Sequence, residues 1–394
     1  MRRRQPLSNV VGPTETSGDP KLSSVLAAAM DAPRTAVEDE LTHGFHTYPA
    51  RMHEAIARTL IAELRPDDPM VLDPFSGSGT VLVEALVAGR PSVGVDLNPL
   101  ALRIAEVKTD RRDDAARERF LETLTHVAEA SEARVRGRVA VHAPLTREEA
   151  RWYDPHVLKE LGGLRAEIDA VTDERDRRAL EVVLSAIVVK FSRQRADTTE
   201  HEVQKRIRKG LVTEFFARKG HELSERWRAL AERAPRAAPS PRLVLGDARE
   251  LTRALGKRFH ADLVVTSPPY GGTYDYERHH ARRFPWLRLD ARELERGELG
   301  ARRNLAYRDD ARGRWDQEMG DALRSMARVI RPGGLLVLLV GDGELGGRRV
   351  DAAAHLAELA PRADLTLAAT ASQPRPDWRG REARSEYLVA LRVL

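Results

Sequence analysis

An α/β fold, with a mostly parallel sheet and one helical block, is the class this sequence predicts. Three observations predict it. Four short apolar runs, Val71 to Asp73, Ser92 to Asp96, Leu243 to Asp247 and Leu263 to Thr266, each stop at a turn that carries a polar group. Runs of that length bounded by turn residues suit buried strands. A helical stretch, Val81 to Leu86, separates the first two runs, and strand–helix–strand alternation builds parallel sheets. From about 109 to 240 the pattern is almost wholly helical, with no internal repeat. Together these give a Rossmann-like sheet interrupted by a helical insertion.

The elements follow in order. Residues 1 to 38 read as a flexible basic tail, with Arg2, Arg3 and Arg4, scattered Pro, Ser and Gly, and at most a short helix near Leu22 to Met30. Residues 49 to 64 read as an amphipathic helix entering the first strand. The first sheet segment is expected over 39–108 and the second over 241–394, with 109–240 as the insertion between them. Inside the insertion, Arg111 to Arg136 is heavily charged, and Leu180 to Val189 is apolar enough for a buried helix. A Pro-rich link, Ala234 to Pro241, returns the chain to strand character. Leu365 to Ala369 and Tyr387 to Leu391 are the final apolar runs, flanking the loop Pro374 to Gly380, and an antiparallel strand is expected near the end of the sheet.

The turn after the first run, Asp73-Pro74-Phe75-Ser76-Gly77-Ser78-Gly79-Thr80, lets backbone approach a ligand closely. A dinucleotide site wants a third glycine three positions after Gly79, where Leu82 stands. That absence and the Asp-Pro-Phe lead-in favour S-adenosylmethionine. Asp96, at the end of the second run, is suited to accept hydrogen bonds from both ribose hydroxyls, or to cap the helix that Asn98-Pro99 opens.

Ser267-Pro268-Pro269-Tyr270 closes the fourth run. An exocyclic amino group on a base is a poor nucleophile, because its lone pair is delocalised into the ring. Acceptors aimed at its two N–H bonds draw the nitrogen towards tetrahedral geometry. A Ser hydroxyl and the carbonyl between two prolines are such acceptors, and Tyr270 offers a flat face for an extruded base.

Composition narrows the chemistry. The 394 residues contain no Cys, which removes disulfides, thiolate metal sites and a cysteine nucleophile. Cytosine-C5 methylation, which normally needs that nucleophile, is excluded, and direct transfer to an amino nitrogen needs neither it nor a metal. No apolar run reaches transmembrane length and no signal-peptide core opens the chain, so a cytoplasmic location is expected. Net charge is +5, and residues 190–220 alone hold nine basic side chains against four acids. Arg193, Arg195, Lys205, Arg206, Arg208 and Lys209 are the candidate phosphate contacts there.

On these motifs the chain resembles the DNA amino-methyltransferases, most closely the cytosine-N4 type. Asp73 to Thr80 resembles the cofactor glycine motif, Asp96-Leu97-Asn98-Pro99 the ribose motif, and Ser267 to Tyr270 the catalytic motif. His46-Thr47-Tyr48 lies in a segment resembling the one that packs on the methionine end of the cofactor, and Arg331 to Val337 resembles a late turn and strand. The resemblance implies cofactor contacts at His46, Thr47, Tyr48, Asp73, Pro74, Phe75, Ser76, Gly77, Gly79, Thr80, Asp96 and Leu97, and at Asp247 towards the adenine amino group. It implies catalytic roles for Ser267, Pro268, Pro269 and Tyr270, DNA as partner, and the setting of restriction-modification. Adenine-N6 methylation of DNA, RNA amino-methylation, glutamine methylation and a non-catalytic nucleic-acid-binding module stay open as alternatives. So do a homodimer and a companion nuclease.

Overall fold

The computed structural model describes residues 12–64, 70–196, 199–305, 308–376 and 383–393. Eight strands form the main sheet: β1 (Glu15–Gly18), β2 (Val71–Asp73), β3 (Ser92–Asp96), β4 (Arg242–Leu245), β5 (Ala261–Thr266), β6 (Ile330–Gly341), β7 (Leu365–Pro376) and β8 (Ala383–Val393). Their spatial order is β1-β7-β8-β6-β5-β2-β3-β4. The five strands from β4 to β6 pair in parallel, and β8, β7 and β1 are added antiparallel. The fold is therefore an α/β mixed sheet with helices on both faces.

Strand alternation explains the two layers. Leu263 and Val265 face a core with Ile56, Leu60, Val81 and Ala85, whereas Val264 faces one with Trp315, Met319, Leu323 and Met326. A parallel strand buried on both faces has to be apolar throughout, which is why these runs read as continuous hydrophobic stretches. The chain leaves β2 outward through β3 to β4, then returns to begin β5 on the other side of β2. Such a reversal opens a crevice at the carboxyl ends of the two central strands.

The expected tail is shorter than residues 1–38. β1 pairs with β7, and the helix Pro20–Asp31 buries Leu22, Leu26, Ala29 and Met30 against Ala369, Ala371 and Leu388. Asp19 caps that helix, accepting from the Lys21 and Leu22 amides. The four apolar positions recur at helical spacing, but the Pro- and Ser-rich flanks mask them. Arg2, Arg3 and Arg4 lie outside the described residues, as does the part of the loop from Asp377 to Gly380.

The block at 109–240 contains four long helices, Asp114–Arg136, Pro155–Ala170, Glu174–Phe191 and Leu211–Arg233. The heavily charged first one turns a narrow stripe of Phe120, Leu124 and Val127 inward. A Cβ on Gly220 would stand 2.3 Å from Leu124, so glycine lets two of these helices cross closely. The block is not helical throughout: Gln194–Ala196 and Thr199–Glu202 pair as an antiparallel hairpin. It also shares one core with the sheet layer. Leu100, Ile104 and Val107 pack with its apolar stripe, and the Trp227 indole donates to the Val107 carbonyl at 2.8 Å. Among the described residues no helix is long and apolar enough to cross a membrane.

Candidate active site

Two strand ends and one glycine turn build the site. β2 stops at Asp73, whose carboxylate accepts from the Phe75 amide at 3.2 Å and from the Thr266 hydroxyl, at the end of β5, at 2.6 Å. That last bond ties the cofactor-type turn to the strand that carries Ser267. The turn passes through Gly77 at φ +47° and Gly79 at φ +86°, both left-handed. A Cβ on Gly79 would come within 2.9 Å of Ala105, so that position is closed to any larger residue.

β3 ends at Asp96. Its two oxygens accept from the Gly77 amide at 2.7 Å and the Asn98 amide at 2.8 Å. The helix Pro99–Lys108 is capped by Asn98, not Asp96. Asp96 therefore has no capping duty and holds the glycine turn instead. Burial pushes Asp73 up to about 7 and Asp96 up to about 6, against the amides and hydroxyl that hold their charged forms.

These groups open on one cleft. Tyr48, Asp73, Phe75, Ser76, Gly77, Thr80, Asp96, Leu97 and Asp247 line it, together with Ser267 and Pro269. The carboxyl ends of four parallel strands thus converge, as the topology requires. Gly79 and Pro74 shape the turn without lining the cleft. Ser267 donates to the Leu339 carbonyl at 3.2 Å, and its hydroxyl also meets the Tyr270 side chain.

Several predicted residues sit elsewhere. His46 and Thr47 do not line the cleft; the buried His46 ring bonds the Thr47 carbonyl and the Ser185 hydroxyl, each at 2.9 Å, and so fastens this segment to the helical block. Asp247 lines the cleft but is forked by Arg249, with contacts of 2.5–3.0 Å, and Arg249 also donates to the Gly297 carbonyl at 2.8 Å. Much of its acceptor capacity is already used. Pro268 is buried, and its side chain does not line the cleft. Tyr270 turns away from it: the hydroxyl donates to Glu386 at 2.9 Å, and the ring stands over Gly341, where a Cβ would be 2.7 Å away. Tyr270 lines a second, small and largely apolar pocket with Trp315, Met319 and Leu345, and Pro269 forms a wall of both spaces.

The structure adds residues that sequence reasoning missed. Ser78, Asn98 and Arg51 line the cleft, as does a covering segment with Tyr276, Leu294, Gly297 and Glu298. Tyr48 stacks on His280 at 5.0 Å and on Tyr276 at 6.1 Å, which seats that segment. The run Ser76-Gly77-Ser78-Gly79-Thr80 signalled the hydroxyls; nothing in the local sequence signalled Glu298.

The basic cluster divides. Arg193 pairs with Asp154 at 2.9 Å and with Glu202 at 3.5 Å, and Arg208 pairs with Glu214. Lys205 donates to the carbonyls of Val189, Lys190 and Gln194, two of them at the carboxyl end of a helix. Arg195, Arg206 and Lys209 are exposed.

Residues 19–107 match a family model described as DNA methylase. This segment is similar to the N6/N4 DNA methylases, carries the glycine turn and Asp96, and ends well before Ser267. Three relatives match over part of the chain. The type II methyltransferase M.MvaI of Kocuria varians is 42% identical over 73 residues, 18% of this chain and 16% of its own length. M.MjaII of Methanocaldococcus jannaschii is 34% identical over 71 residues, covering 18% of this chain and 13% of its own length. M.ScaI of Streptomyces caespitosus is 34% identical over 93 residues, covering 24% of this chain and 27% of its own length. The match therefore spans a quarter or less of the first two relatives. A SAM-dependent methyltransferase structure from Methanosarcina mazei aligns over 89% of this chain and 99% of its own, at 10% identity and TM-score 0.35.

Proposed function

We propose that this protein is a DNA methyltransferase that moves the methyl group of S-adenosylmethionine to the exocyclic N4 amino group of a flipped cytosine. The observation that carries the reading is the meeting of Asp96, the glycine turn, Ser267 and Pro269 on one cleft. The residues fit the cofactor. Gly77 and Asp96 line the cleft, and the hydroxyls of Ser76 and Thr80, two further lining residues, are buried without a hydrogen-bond partner. When bound, the cofactor supplies an electrophilic methyl group on a sulfonium.

The chain's own work is positioning and polarisation. Asp96 would hold the ribose hydroxyls, and Tyr48 and Phe75 would flank the ligand. Ser267, already donating to Leu339, accepts from one N–H of the target amino group, and the Pro268 carbonyl accepts from the other. Tyr270, held by Glu386, presents its ring to the second cavity, so a flipped base would enter beside Pro269 and reach the first cleft edge-on. The proton leaves to water after transfer, because Ser267 is a weak base. The Ser-first motif favours cytosine over adenine. The exposed Arg195, Arg206 and Lys209 would contact phosphates, and the helical block is the candidate target-recognition region.

The experiment is incubation with methyl-labelled cofactor and unmethylated DNA or RNA, followed by nucleoside mass spectrometry. N4-methylcytosine in DNA is the expected product. N6-methyladenine as the sole product would overturn the base assignment.

A further inference from the structure

We propose that Glu386 is a positioning residue for methyl transfer: it tethers the Tyr270 hydroxyl and so fixes that ring as a wall of the pocket that receives the target base. This role rests on the base-methylation reading above and adds the group, 116 residues away in the chain, that holds the motif's aromatic ring in place.

Glu386 stands on β8 and is 3% exposed. One of its oxygens accepts from the Tyr270 hydroxyl at 2.9 Å and lies 3.4 Å from the Arg375 guanidinium on β7. Burial raises the carboxyl, and Arg375 and the Tyr270 bond act against that. A carboxyl oxygen accepts the phenol proton whether the group is charged or neutral, so the tether holds in both forms. A buried carboxyl is costly, and an apolar pair of similar volume at 270 and 386 would serve the fold as well. The polar pair therefore calls for an explanation beyond stability.

Three neighbouring strands supply one. Glu386 pairs in register with Gly341 on β6. A Cβ at 341 would stand 2.7 Å from the Tyr270 ring and 3.3 Å from a guanidinium nitrogen of Arg375, so glycine there opens the space the ring fills. The Arg375 guanidinium lies 6.0 Å from the ring centroid. β6 thus gives the ring its seat, β7 a cation beside it, and β8 the acceptor for its hydroxyl. Glycine presents no side chain to stop the ring from sliding, and the bond to Glu386 fixes its tip. The fixed ring lines the second pocket with Trp315 and Met319, next to Pro269, which also walls the cofactor-type cleft. The ring sets where a base stacks there, and a displacement of about 1 Å near reacting groups costs up to ~100-fold in rate. The Ser267 hydroxyl meets the same side chain, so a displaced ring also disturbs the amino-group acceptor.

The test measures single-turnover methyl transfer at saturating DNA, and cofactor affinity by calorimetry. Wild type, Glu386→Ala, Glu386→Gln, Tyr270→Phe and the double variant Glu386→Ala with Tyr270→Phe are compared. Glu386→Ala and Tyr270→Phe should each slow transfer about tenfold, as for one lost hydrogen bond, with cofactor affinity within about twofold of wild type. Glu386→Gln keeps an acceptor and should stay within about threefold of the wild-type rate. The double variant should lose little more than either single one, since both cut the same bond. A wild-type rate in Glu386→Ala or Tyr270→Phe, a Glu386→Gln variant as slow as Glu386→Ala, additive losses in the double variant, or an equal loss of cofactor affinity would overturn the positioning role. If Glu386→Ala does not fold, Tyr270→Phe and Glu386→Gln decide by the same rates. Failure of the wild type to methylate DNA or RNA would instead overturn the function reading on which the role rests.

Discussion

The glycine turn at 73–80 and the basic hairpin region at 193–209 are both rich in polar groups, yet they hold them in opposite ways. At the turn, Asp73 is buried and Asp96 half-buried, the first held by an amide and a hydroxyl and the second by two amides, and the hydroxyls of Ser76 and Thr80 are buried without a hydrogen-bond partner. In the hairpin region, Arg193 and Arg208 stand near solvent and are neutralised by Asp154, Glu202 and Glu214. Burying a polar group without a partner is costly, whereas exposed ion pairs add little. Unpaid desolvation thus accumulates where a small ligand would relieve it, and the hairpin region holds its charges at almost no cost to the fold. A binding cleft and a phosphate-contacting surface are expected to differ in just this respect.

The comparison breaks first, and by the largest effect, at Asp73. Its folded value of about 7 lies above the usual carboxylate range, with burial as the main cause. A carboxyl raised on folding stabilises the protein below its unfolded value near 4, and that contribution is lost as pH rises through 7. Relative to Asp73→Asn, the wild type should therefore lose on the order of a few kcal/mol of stability between pH 4 and pH 7. Denaturant titrations at several pH values measure this. A constant difference between the two proteins would mean that Asp73 is not desolvated.

Asp96→Ala comes next. Loss of its charge-assisted hydrogen bonds should weaken S-adenosylmethionine binding by about 1–3 kcal/mol, read by calorimetry. Unchanged affinity in a folded variant would remove the ribose role and with it much of the contrast drawn above.

The smallest effects belong to the hairpin region, and they sharpen its internal division. Lys205→Met should cost about 1 kcal/mol of stability, because three carbonyls lose their donor, and should leave the salt dependence of DNA binding nearly unchanged. Arg195→Ala, Arg206→Ala and Lys209→Ala together should leave stability within about 0.5 kcal/mol and flatten that salt dependence by up to ~0.9 in slope per lost contact. An unchanged slope would make the exposed cations a solvated surface.

The parallel strands were legible because burial on both faces demands unbroken apolar runs, and their ends announced Asp73, Asp96 and Ser267. The edge strand Glu15–Gly18 was not, since all four residues are exposed and only β7 defines it. The side-chain partners were hidden for a different reason. His46 meets Ser185 across 139 residues, and Tyr270 meets Glu386 across 116. Arg249 at Asp247 is only two residues away, but the fork depends on where Gly297 falls. Local pattern reports which backbone a residue sits on; it does not report which distant group claims its last lone pair.

The most direct test of the account is a paired measurement on Ser267→Ala: cofactor affinity by calorimetry, and single-turnover methyl transfer to DNA from labelled S-adenosylmethionine. Ser267 is held to act on the target amino group and not on the cofactor. Affinity should match the wild type, and the transfer rate should fall roughly ten- to a hundredfold, the loss of one acceptor worth about 1.4–2.7 kcal/mol in the transition state. A variant that binds the cofactor and transfers at the wild-type rate would contradict the claim that this strand end polarises the amino group.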